Sequence, residues 1–139
     1  MANRVVVFSV PGEPVSQPRA RVSTRSGFAR AYVPKSHPVH AYRQSIAAAA
    51  KSAKCVVTDS LFTVTILATS KRPPSHFNRS GVKASAPKTP RYDVDNVAKA
   101  VLDALHGIAW TDDKQVEWLA IRKRYGDEAK TEVLIETSP

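Results

Sequence analysis

VDNVAKAVLDALHG, residues 94 to 107, sets Val94, Val97, Val101 and Leu105 three or four positions apart, the spacing of one face of an α-helix. Gly107 follows the last of them, where a glycine closes a helix by entering the left-handed region. The spacing predicts a helix from Asn96 to His106, roughly 16 Å long at 1.5 Å per residue. On its C-terminal side, QVEWLAIRKRY (115–125) and KTEVLIE (130–136) read as strands joined by a turn at Gly126-Asp127-Glu128. They are expected to pair as a β-hairpin, with Val133 and Ile135 inward and Glu132, Leu134 and Glu136 on the other side. On its N-terminal side, LFTVTILA (61–68) alternates apolar and hydroxyl side chains like a strand with one apolar face.

Further upstream, VHAYRQSIAAAAKSAK places Tyr42, Ile46, Ala49 and Ala50 at helical spacing. A helix over 38–54 is predicted, with Arg43, Lys51 and Lys54 on its polar face. RVVVFSV (4–10) is a β-branched strand ended by Pro11-Gly12. The order is β-α-β-α-β-β with no internal repeat, so the expected fold is α+β (mixed α/β). It is one domain over residues 1–139, with a mixed sheet covered by two helices.

Charge is distributed unevenly. Residues 1–92 hold 15 Lys or Arg against two acids, whereas residues 93–139 hold six against ten, giving +13 and −4 and a net +9. A basic excess of this kind suits a polyanionic partner, because each neutralised phosphate releases condensed counterions. It concentrates in two basic loops, at about 11–37 and 70–92. The first carries Arg19, Arg21, Arg25 and Arg30, interleaved with Phe28 and Tyr32 and with room for a short hairpin at Ser26-Gly27. Those rings either stack on bases or pin the loop to the core. The second has four prolines and no acid, and carries Lys71, Arg72, Arg79, Lys83, Lys88 and Arg91. It reads as a mobile nucleic-acid contact, in preference to a passive linker, without regular structure.

Other classes fall away. The single cysteine, Cys55, cannot form an internal disulfide. No apolar run approaches the roughly 20 residues of a membrane span, and the N-terminus lacks a secretory pattern. The four histidines are scattered, so a structural zinc is not expected. A cytoplasmic protein with no membrane contact and no small-molecule cofactor is the expectation. Trp110 and Trp118 are read as core or loop-anchoring aromatics.

The acids gather around the second helix. Asp93 and Asp95 precede or open it, and Asp112-Asp113 follow it. One aspartate is explained as a helix cap, a role that suits Asp95, but four are not. Convergent carboxylates repel unless a cation sits among them, and hard oxygen ligands select Mg²⁺, with Mn²⁺ as a substitute. For the two pairs to meet, the 107–112 loop must fold back along the helix toward its N-terminus. Lys99 either stabilises developing phosphate charge or forms a surface ion pair with Asp103. A metal among carboxylates in a phosphate-binding chain points to phosphodiester cleavage. The other readings are a nuclease of broader DNA or RNA specificity and a non-catalytic nucleic-acid-binding module.

The segment YDVDNVAKAVLDALHGIAWTDDKQV (92–116) resembles the active-site pattern of RusA-type Holliday junction resolvases, D-x-D-N-x-x-K-A-x-x-D-A-L-x-G-x-x-W-x-D-D. The likeness extends to RKRYG and the terminal strand, and more weakly to PGEPVSQPRARV and YVPKSHPVHAYRQSI. It implies a homodimeric, Mg²⁺-dependent crossover junction endodeoxyribonuclease that makes paired symmetric nicks in four-way DNA junctions during recombination and repair. By position it implies that Asp93, Asp95 and Asp113 are metal-binding and catalytic, Lys99 is catalytic, and Asp112 is a supporting metal ligand. Gln17-Pro18-Arg19-Ala20-Arg21 is less basic than in many relatives, and the 70–92 loop is long and proline-rich. A two-fold dimer also has a physical rationale, since it sets one active site on each of two symmetry-related strands.

Overall fold

The computed structural model describes residues 4–18 and 21–138. The chain forms β1 (Val5–Pro11), β2 (Arg21–Ser23), β3 (Arg30–Tyr32), α1 (Val39–Ser52), β4 (Phe62–Lys71), β5 (Phe77–Asn78), β6 (Gly81–Val82), α2 (Val94–Leu105), β7 (Val116–Gly126) and β8 (Lys130–Thr137). This is the α+β arrangement expected from the sequence. The main sheet has the order β1-β8-β4-β7. β4 and β7 run parallel, and β8 is antiparallel to both β1 and β4.

The expected terminal hairpin does not form, because β4 lies between β7 and β8. The short 127–129 link steps over the end of β4, a span of two strand spacings, or about 10 Å, which four peptide units cover in extended form. Gly126 makes the crossing possible. A β-carbon there would lie 2.7 Å from Thr69 Cγ2, closer than two carbons tolerate. The link is tied down on both sides, by Arg72 N–H to the Gly126 carbonyl at 3.2 Å and Gly12 N–H to the Ala129 carbonyl at 3.0 Å.

Strand alternation sends Val6, Phe8, Val64, Ile66, Val133 and Ile135 to one face of the sheet, where they are buried. The inward placement of Val133 and Ile135 is as the sequence predicts. The helices cover this face and pack on each other, α1 also touching β1 and α2 touching β7. α1 contributes Val39, Tyr42, Ile46 and Ala50. α2 contributes Val97, Ala98, Ala100, Val101, Ala104 and Leu105. Gly107 closes α2 at φ 79°. The opposite sheet face carries Val7, Thr65, Leu67 and Leu134, which line a shallow apolar depression. Among the described residues no helix is long and apolar enough to cross a membrane.

Tyr42 reaches through the core to hydrogen-bond Thr131, hydroxyl to hydroxyl, at 2.6 Å. Burial, partly offset by that bond, pushes its phenol up to about 12. The folded protein therefore holds the proton more tightly than the unfolded chain does. The stabilisation is complete below the ordinary value near 10 and is lost as pH rises from there toward 12. Urea titrations across that window should show stability falling by on the order of 2 kcal/mol. Tyr42→Phe should flatten the alkaline slope while lowering stability at neutral pH, since Thr131 is then left unpaired in the core.

The basic loops are more structured than expected. β2 and β3 form the short antiparallel hairpin anticipated around Ser26-Gly27. The 70–92 segment contains a 3-10 turn at Pro74–His76 and the small β5-β6 hairpin. It is anchored by Arg72, whose guanidinium lies 4.3 Å from the centre of the Tyr125 ring and donates to the Pro87 carbonyl at 2.9 Å. His76 packs edge-on against the same ring.

Candidate active site

α2 starts two residues earlier than the apolar spacing predicts. Asp93 is its N-cap residue, in extended conformation, and Asp95 lies in its first turn. Asp95 is therefore not the cap. Asp93 makes no side-chain capping bond, and both side chains are exposed. Neither carboxylate is committed to the backbone, and each sits where the helix dipole favours negative charge. Lys99 is exposed one turn further along. Among the described residues it pairs with no carboxylate, and the surface pair with Asp103 does not form.

Two contacts fix the N-terminal end of α2. Gln17 N–H donates to the Asn96 carbonyl at 2.8 Å, laying the start of the first basic loop alongside the helix. Lys123 Nζ donates to the Tyr92 carbonyl at 2.8 Å, fixing residue 92 against the far half of β7. Tyr92 is itself half-buried, and burial pushes its phenol above the ordinary value.

Asp112 and Asp113 stand elsewhere. Asp112 caps the 3-10 turn Asp113–Gln115, accepting from Lys114 N–H at 2.9 Å, and the Gln115 side chain returns a bond to the Asp112 N–H. Gln115 also donates to the Thr58 and Ser60 carbonyls, which locks the turn beside the start of β4. Asp113 Oδ1 accepts from Trp110 Nε1 at 2.9 Å and lies 3.7 Å from His106 Nδ1. Trp110 is fully buried and packs on Phe62 with ring centroids 5.7 Å apart. The core thus holds Asp113 through an indole N–H, a role for Trp110 that its spacing three residues before Asp113 could have suggested.

His106 is the C-cap residue of α2, so Asp113 sits at the opposite end of that helix from Asp93 and Asp95. Twelve helical residues separate the ends by about 18 Å. The sheet gives the same separation independently. Asp113 opens the 3-10 turn that leads into Val116, whereas Tyr92 is held by Lys123, about 23 Å further along an extended strand than Val116. The 107–112 loop does not fold back along the helix as the sequence reading requires. Leu105 and Gly107 anchor it at the C-terminal end, through Leu105 O to the Ala109 N–H at 2.9 Å and Gly107 N–H to Trp110 O at 2.7 Å. Among the described residues no group of three or more His, Cys, Asp or Glu is close enough to hold a metal ion. A single chain therefore offers the hard carboxylate donors that suit Mg²⁺, but divided between two places.

Of the residues expected to contact nucleic acid, Arg25, Arg30, Lys71, Arg79, Lys83 and Lys88 are exposed. Among the described residues none of them pairs with a carboxylate. Arg72 differs, being half-buried on Tyr125, where it braces the loop. Arg19 and the side chain of Arg21 lie outside the described residues. Trp118 departs from the expectation of a core or anchoring aromatic. It is 53% exposed, next to an irregularity in the β4–β7 register at Phe62/Thr63.

The family model described as Endodeoxyribonuclease RusA matches residues 11–136. The chain is also 31% identical over 135 residues to the uncharacterized protein YqaN of Bacillus subtilis (strain 168), covering 94% of each. With the aspartates of the DxDN segment free at a helix N-terminus and a match spanning nearly the whole sequence, the chain belongs to the RusA endodeoxyribonuclease family.

Proposed function

We propose that this protein is a homodimeric, Mg²⁺-dependent crossover junction endodeoxyribonuclease that resolves four-way DNA junctions by paired symmetric nicks in recombination and repair. The observation that carries the reading is the pair Asp93 and Asp95, exposed and uncommitted at the start of α2, within a family match to endodeoxyribonucleases. In this reading each metal site draws on two copies of the chain. Asp93 and Asp95 come from one, and Asp113, supported by Asp112, comes from the other. That division follows from the helix that separates them within a chain.

A divalent ion bound by such carboxylates lowers the pKa of a coordinated water and screens charge on the scissile phosphate. The chain's own side chains do the rest. Lys99, one turn from Asp95 and free of a salt-bridge partner, faces developing negative charge on the phosphate oxygens. Trp110 orients Asp113, and the Gln115 network holds Asp112. Arg25, Arg30, Lys71, Arg79, Lys83 and Lys88, with Arg19 and Arg21, neutralise backbone phosphates of the junction arms, and Arg72 keeps the second loop in shape. Such contacts carry no sequence information, which suits an enzyme that selects DNA by branching.

The test is cleavage of a labelled four-way junction in the presence of excess linear duplex. The reading expects symmetric nicks with ligatable 5′-phosphate and 3′-hydroxyl ends, supported by Mg²⁺ or Mn²⁺ and abolished by chelation. Equal cutting of junction and duplex would replace it with a general nuclease, and junction binding without metal-dependent nicking would leave a binding module.

A further inference from the structure

The 70–92 segment is pinned to Tyr125 by Arg72 and His76, yet the β5-β6 hairpin it carries turns apolar side chains outward. Asn78 and Gly81 pair across its turn, with Gly81 at φ 118° and the Asn78 side chain accepting from Ser80 N–H at 2.9 Å. Lys83 N–H donates to the His76 carbonyl at 2.8 Å and closes the base of the hairpin. Phe77 and Val82 are cross-strand partners between these bonds, so they stand on one side of the ribbon. They are 44% and 51% exposed. A hairpin that served only to pin the loop would bury such a pair, and other residues already do the pinning. Phe77 and Val82 instead line a cleft of about 270 Å³ between the hairpin and the end of β7, completed by Lys71, Arg72, Tyr125 and Asp127.

Size, charge and shape together select the occupant. The cleft is smaller than those that enclose a drug-sized molecule, but a single planar ring system fits. Around it Lys71, Arg79 and Lys83 are exposed and, among the described residues, pair with no carboxylate, which draws a polyanion. Asp127 would repel a phosphate, but it can accept from an exocyclic amino group, which favours a base over the backbone. An aromatic ring and a guanidinium plane are the surfaces on which unstacked bases stack, and Phe77 and Arg72 supply one of each. The position fits as well. Lys123 holds the Tyr92 carbonyl beside Asp93, and Tyr125 lies two residues, about 7 Å, further along β7. We infer that this cleft receives one unstacked base of the DNA at the branch point, its face on Phe77 and its edge toward Asp127. The inference rests on the reading of a branched DNA substrate and deepens it. A continuous duplex keeps its bases stacked and offers no free face, so the cleft separates branched from linear DNA where phosphate contacts cannot.

Binding without divalent metal tests the cleft apart from cleavage. The probes are a labelled four-way junction and a series of derivatives, each lacking one base beside the branch point. Phe77→Ala should bind the intact junction about tenfold more weakly than wild type, with its circular dichroism retained, while Phe77→Tyr should match wild type. At one position the missing base should weaken wild-type binding by a similar factor and leave Phe77→Ala unaffected, the non-additivity of two changes that remove one contact. Linear duplex should bind both proteins alike. If Phe77→Ala binds the intact junction as wild type does, or if its loss adds in full to that of every abasic junction, no base sits on Phe77 and the inference is overturned. Nicking after addition of Mg²⁺ reads the function separately. Base-dependent binding without nicking supports the cleft and removes the nuclease, whereas nicking with binding indifferent to Phe77 and to every abasic site keeps the nuclease and removes the cleft.

Discussion

Asp93→Asn protein should nick a four-way junction about 10³-fold more slowly than wild type, corresponding to the loss of roughly 4 kcal/mol of transition-state stabilisation. Its affinity for the junction should be unchanged or higher, because a negative charge close to DNA phosphates has been removed. The structure gives little reason for a folding defect, since Asp93 makes no capping bond and is exposed. Thermal melting and gel-shift titration of the same preparation separate the two effects. A helix-capping role alone would leave both stability and cleavage nearly unchanged, because Asn caps a helix as well as Asp does.

The second large effect concerns Trp110, which combines a core position with a bond to Asp113. Trp110→Ala removes a fully buried indole packed on Phe62 and should cost about 3–5 kcal/mol of stability. Trp110→Phe separates the roles. It keeps most of the apolar volume and should cost far less, but Asp113 loses the donor that orients it. Partners that orient metal ligands typically contribute 10–100-fold to metal affinity. The Mg²⁺ concentration giving half-maximal cleavage should therefore rise by about that factor, with little change at saturating metal. If Trp110→Phe has an unaltered Mg²⁺ dependence, the indole serves packing alone.

Much of the fold was legible because its determinants are local. The α2 face of Val97, Val101 and Leu105 and its Gly107 stop needed only helical spacing and one positive φ. The alternation of β8 could be read the same way. What failed was long-range. The short Gly126-Asp127-Glu128 turn looked like a hairpin, yet β4 occupies the place between β7 and β8. Strand order depends on pairings between residues 60 or more positions apart, to which a turn motif is blind. The β4-α2-β7 succession was the better guide, because a strand-helix-strand unit favours parallel neighbours.

The candidate site divides in the same way. Asp93, Asp95 and Lys99 were brought together by their own helix, and sequence spacing sufficed. Convergence with Asp113 required a loop reversal, and the hydrogen bonds of Gly107, Ala109 and Trp110 hold the chain at the helix's far end. Nor could spacing show that Trp118 would stand exposed on an open edge, since strand periodicity does not distinguish edge from interior.

Purified heterodimers carrying Asp93→Asn in one chain and Asp113→Asn in the other, made by co-expression with different affinity tags, test the central claim most directly. If each site takes Asp93 from one copy and Asp113 from the other, one site per heterodimer receives both substitutions and the second receives neither. The account predicts that both parental homodimers are inactive while the heterodimer nicks one strand of the junction, at about half the wild-type nicking per dimer. Heterodimers as inactive as their parents would contradict it, because each site would then be assembled within a single chain.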